Sequence, residues 1–147
     1  MCAGASSAPD EGSQEFWRNR NGRDQVARRD LTGAINFVHL AAYTAGDAAL
    51  TEEVLALFEE QASLWMRLLT PEAPADSWRD AAHTLKGAAL GIGADGLARA
   101  CSEAEQNALT ATATRAALLD PIHAELNAVL ADIAAWRHQV ALDGLRG

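Results

Sequence analysis

The segment Ala81–Leu97, AAHTLKGAALGIGADGL, sets a histidine, a lysine and four glycines in an otherwise apolar, Ala-rich run. Two chemistries are conceivable there. Gly91–Gly96 matches G-x-G-x-x-G, but that pattern cradles a pyrophosphate only between a strand and the helix it opens. A helix precedes it here. Lys86-Gly87 also reverses the order a Walker loop requires and lacks its hydroxyl. The second chemistry needs the run to be helical. His83, Lys86, Gly87 and Leu90 then share one face, at i, i+3, i+4 and i+7. A neutral imidazole keeps a nitrogen lone pair and is a competent nucleophile near pH 7. A cation one turn away can stabilise charge on a transferred phosphoryl group.

Two composition choices sharpen this reading. Lys86 is the only lysine in 147 residues; every other basic side chain is arginine. Gly87 interrupts a helix that uses alanine freely, at a cost of about 1 kcal/mol relative to alanine. Either a neighbouring helix approaches closely at Gly87, or a partner must reach His83 over it. Leu90 and Arg79 are taken as the partner-contact residues.

A helix over about Asp76 to Ile92 positions this face, burying Trp78, Ala82, Leu85, Ala89 and Ile92 and turning His83 outward. Gly93 suits a left-handed C-cap. Asp95 is a candidate N-cap for a helix reaching about Ala108, which buries Leu97, Cys101 and Ala104. Upstream, a short helix spans Ile35 to Tyr43, and Gly46 and Asp47 provide a turn and cap. The next helix carries Leu50, Val54, Leu57, Gln61, Leu64 and Leu68 as its expected core stripe, flanked by Phe58 and Trp65, and ends before Pro71 and Pro74. The last helix buries Ile122, Leu126, Val129, Ile133, Trp136 and Val140. Asp120-Pro121 reads either as an N-cap with proline at the first helical position or as a kink inside a helix that starts near Thr112, the longer helix being favoured. The expected fold is all-α: an antiparallel up-down four-helix bundle over residues 31–147 with a short additional N-terminal helix. Residues 1–30 read as a flexible leader whose exception, Phe16-Trp17, is either a short helix docked on the body or, equally, part of a linker remnant or vector-derived segment.

Charge and composition exclude other classes. A net charge of −8 without a basic stripe argues against nucleic acid. No apolar run of spanning length is present, so no membrane partner is expected and the cytoplasm is the default location. Cys2 and Cys101 give neither a disulfide framework nor zinc spacing, and Cys101 reads as a small buried hydrophobe. His39, His123 and His138 lack a lysine at i+3 and a glycine at i+4, and no Glu-x-x-His pair suggests a metal site. Asp80, three residues before His83, reads as one half of a surface ion pair, with orientation of the imidazole as the further reading. A monomer is expected, because one helix face is reserved for a partner and no second exposed apolar stripe is evident.

His83-Thr84-Leu85-Lys86-Gly87, followed by Gly93 and Leu97, resembles the H-x-[LI]-K-G-x5-G-x3-L signature of histidine phosphotransfer (HPt) domains at the same spacing throughout. Ala41–Gln61 is similar to the N-terminal helices of bacterial members, so the resemblance covers about residues 33–141. It implies a phosphocarrier of multistep two-component phosphorelays rather than a self-contained enzyme. The expected partners are response-regulator receiver domains and an ordinary or hybrid histidine kinase. The resemblance makes His83 the phosphoacceptor, Lys86 the charge stabiliser and Gly87 the clearance residue, with Gly93 and Leu97 structural. It implies no cofactor on this chain, the Mg2+ being supplied by the receiver. The alternative is a helical adaptor that docks a receiver or kinase domain without phosphotransfer.

Overall fold

The computed structural model describes residues 32–146. The leader, with Cys2 and the Phe16-Trp17 pair, lies outside the described residues. Five helices and no strand occur within them: α1 Phe37–Thr44, α2 Ala48–Leu68, α3 Ala75–Gly91, α4 Asp95–Gln106 and α5 Thr112–Arg146. α3 packs against α2 and α4, α5 against α4 and α2, and α1 rests on α2. This closes the expected four-helix bundle, with the short helix added at its N-terminal side.

Each boundary has a local cause. Asn36 caps α1 by accepting from the amide of His39, and Asp47 caps α2 by accepting from Leu50. α3 ends in a Schellman arrangement in which Gly93 is left-handed at φ 76°, Ala94 N–H donates to Ala89 at 2.8 Å, and Gly93 N–H donates to Leu90 at 3.2 Å. Glycine is required twice over at this position, because a Cβ there would stand 3.0 Å from the Asn36 carbonyl oxygen. Asp95 is the first residue of α4 rather than its cap; Ala94 holds the cap position and supplies no side-chain hydrogen bond. α5 runs unbroken through Pro121, as the longer reading expected.

The core follows the expected stripes on three helices. Trp78, Ala82, Leu85, Ala89 and Ile92 are buried from α3 and the turn after it, and Leu97, Cys101 and Ala104 from α4. Ile122, Leu126, Val129 and Ile133 are buried from α5, with Trp136 packed at the margin, whereas Val140, expected to continue the stripe, is only half-buried and lies outside the core.

On α2 the expected stripe is wrong by one residue. Thr51, Leu55, Phe58 and Ala62 face the core, whereas Leu50, Leu57, Leu64 and Leu68 are exposed. Two parallel rows, each stepping by four and three, lie about 100° apart on this helix, and periodicity alone does not choose between them. Specific contacts choose. In the observed rotation Glu52 and Glu59 both reach Arg137 of α5, at 2.7 and 2.8 Å. Phe58 enters the core, and the Thr51 hydroxyl meets Thr44 Oγ1 and the Asp47 carbonyl at 2.8 Å each. A second exposed apolar stripe therefore does exist, contrary to the sequence expectation.

Two buried polar groups tie the ends of the bundle. Asp132, fully buried on α5, accepts from the amides of Thr32 at 2.6 Å and Ile35 at 3.2 Å, pinning the entry to α1. Arg115 donates to the carbonyls of Pro71, Ala73 and Ala108 and lies over the Trp78 ring, 5.2 Å from its centroid. It thereby clamps the α2–α3 and α4–α5 connections without an acidic partner among the described residues.

Candidate functional site

The α3–α4 hairpin turns at Gly93-Ala94, so residues equidistant from Ala94 stand level on the two antiparallel helices. His83 and Glu105 are such a pair. The indole of Trp78 donates to the Ala104 carbonyl at 2.7 Å and fixes the last turn of α4 against α3, one residue from Glu105. The resulting site joins three side chains through one carboxylate. His83 Nδ1 lies 3.0 Å from Glu105 Oε2, and Lys86 Nζ donates to Glu105 Oε1 at 2.9 Å.

Burial grades across this trio. The His83 side chain is 66% exposed, as its position on the wheel predicts, whereas Lys86 and Glu105 are 26% and 22% exposed. The hydrogen bond from Lys86, and next that from His83, hold the Glu105 carboxyl below the usual carboxylate range against the opposing effect of burial. Glu105 is thus an anion at neutral pH, and a carboxylate can only accept. That places the proton of a neutral His83 ring on Nδ1 and leaves the Nε2 lone pair facing solvent.

Gly87 is exposed, and a Cβ built on it meets nothing within 4 Å. Among the described residues no neighbouring helix needs this glycine, so close packing between them does not account for it. Leu90 lies one further turn along and is half exposed. Arg79 pairs with Asp76 at 2.9 Å and borders a groove of about 410 Å³ whose other walls include Lys86, Glu105, Gln106 and Leu109. The five sequence-derived residues therefore fall on one outward strip of α3.

Glu105 was missed from sequence, and Asp80 was the candidate in its place. Asp80 is exposed and makes no hydrogen bond to His83. No helical spacing links residues 22 apart; the signal that could have found Glu105 is the reflection of His83 through the Gly93 turn. Cys101 lies beneath the site, its thiol pushed up to about 12 chiefly by burial, which fits its reading as an inert small hydrophobe. Among the described residues no group of three or more His, Cys, Asp or Glu side chains could hold a metal ion, and no helix is long and apolar enough to cross a membrane.

The family model described as Hpt domain matches residues 47–136. The crystal structure of the histidine phosphotransferase ShpA from Caulobacter crescentus is similar, with a TM-score of 0.63 and 42% sequence identity over 77% of this chain and 99% of that one. No curated protein matches.

Proposed function

We propose that this chain, which belongs to the Hpt domain family, relays a phosphoryl group through His83 between aspartates of response-regulator receiver domains, or from a histidine kinase to such a domain. A phosphotransfer role in two-component signalling comes with the family; the acceptor atom and the direction of assistance are our reading of the site. The observation that carries it is the Glu105 carboxylate bridging His83 Nδ1 and Lys86 Nζ beneath an exposed imidazole.

The proposed step uses each group once. The Nε2 lone pair attacks phosphorus in line with the aspartyl oxygen, the N–P bond forms as the O–P bond breaks, and the aspartate departs as a carboxylate. The ring acquires positive charge while Nδ1 keeps its proton. Glu105, already ionised and 3.0 Å away, stabilises that charge, much as a buried carboxylate supports an imidazolium in hydrolase triads. Lys86 spends one donor on Glu105 and has two left for phosphoryl oxygens. Return transfer benefits from the same pairing, because a protonated phosphoimidazole is the better leaving group.

Gly87 leaves the approach to Nε2 open, and Leu90 and Arg79 offer apolar and cationic contact on either side of it. The aspartate pocket and the Mg2+ of the reaction belong to the receiver. The test is incubation of the full chain with a phosphorylated receiver domain, with label followed on both proteins. Label moving to this chain within the receiver's own dephosphorylation time supports the relay. Stable receiver binding without any transfer would favour the adaptor reading.

A further inference from the structure

The exposed stripe on α2 has no function in the site described above. Leu50, Leu57, Leu64 and Leu68 are 41%, 57%, 43% and 45% exposed and occupy one side of the helix, with the half-buried Val54 between them and the core. Glu52 and Glu59 mark the side of α2 turned to α5, so the leucines lie on the opposite flank, on the α3 side of the bundle. Glu53 and Glu60 border the stripe; both are exposed and make no ion pair among the described residues. The surface is therefore apolar along its centre and bordered along one edge by Glu53, Glu60 and, in the last turn, Arg67, acidic over its first two positions. An occupant should be aromatic or aliphatic, and basic.

A second copy fits this requirement poorly. The first thirty residues balance five arginines against five carboxylates, so the rest of the chain carries the whole net charge of −8. Two acidic bodies would have to meet through their acidic edges. The chain itself contains a better match immediately before its described part. Phe16-Trp17 is followed by Arg18, Arg20, Arg23, Arg28 and Arg29, with Asp24 the only acidic residue among positions 18–29. Thr32 is held on α5 by Asp132, and the residues between Trp17 and Thr32 can span up to about 50 Å, against about 31 Å for the whole of α2.

We propose that residues 16–29 dock in cis on the α2 stripe, Phe16 and Trp17 covering its leucines and the arginines meeting Glu53 and Glu60. The mode is the familiar one of an aromatic anchor in an apolar strip with a charged rim. It does not depend on the phosphotransfer reading, since it concerns a contact within one chain.

The test uses the full chain with labelled leucine methyl groups, comparing wild type with Phe16→Ser/Trp17→Ser by NMR over a tenfold range of protein concentration. The methyl resonances of Leu50, Leu57, Leu64 and Leu68 should shift. Those of Leu109, Leu130 and Leu145, exposed elsewhere, should not. In a reciprocal variant, Leu57→Gln, the Trp17 indole N–H resonance should move, and this exposed substitution leaves the core intact. Arg18→Gln/Arg20→Gln/Arg23→Gln should produce part of the same shift. Unmoved α2 methyl groups in the double variant would overturn the proposal. Shifts that appear only at high protein concentration would assign the stripe to a second copy. A stripe that responds to an added receiver domain but not to the Phe16/Trp17 substitutions would assign it to that partner.

Discussion

In the proposed relay, Glu105 is the residue that orients His83 and holds Lys86 beside it. Replacing it by Ala removes the acceptor that orients Nδ1–H and releases Lys86, both of which it holds within 3.0 Å. We expect phosphotransfer to slow by about tenfold, equivalent to ~1.4 kcal/mol, with the helical circular dichroism unchanged; Glu105→Gln should fall between, since it keeps an acceptor and loses the charge. Stopped-flow transfer rates check both. Gly87→Ala separates two roles that usually coincide. Open space surrounds the position, so the variant should be more stable by up to about 1 kcal/mol in urea unfolding. Transfer should nonetheless slow, because the added methyl stands where a partner must approach. A variant that is both more stable and equally fast would remove Gly87 from the mechanism. The histidine, lysine and glycine were legible because they lie within one turn of one helix. Glu105 was not, because its link to His83 crosses two helices.

The elements hold this geometry through a few specific contacts. Gly93→Ala would force a left-handed alanine against the Asn36 carbonyl and should cost at least ~1–2 kcal/mol. It should also slow phosphotransfer, since the same turn sets the register of Glu105 against His83. Arg115→Met leaves three connection carbonyls without their donor and uncovers the Trp78 ring. We expect a loss of roughly 2–4 kcal/mol in urea unfolding. Sequence periodicity read α3 and α4 correctly, and α5 as far as Trp136, because each carries a single apolar row. α2 carries two, and the rotation is chosen by Arg137, which sits 85 residues from Glu52 and 78 from Glu59. No local pattern contains that information.

For the whole molecule, the acid limb of stability is set by carboxylates paired in the fold. Glu105 and Glu52 are both held below their ordinary range, the first chiefly by Lys86 and the second chiefly by Arg137. The unfolded chain therefore takes up protons at a higher pH than the folded one. Their contribution is complete above the ordinary glutamate value of about 4.3 and is lost as pH falls through the depressed folded values. The urea midpoint should be flat near neutrality and decline below about pH 4.5, and Glu105→Gln should lessen that decline. The central claim is that the phosphoryl group passes through His83, and the most direct measurement is the fate of label delivered from a phosphorylated receiver. Wild type should take up label that acid removes and alkali preserves, as a phosphoramidate requires, and His83→Gln should take up none. Equal labelling of His83→Gln, or label that survives acid, would contradict the account.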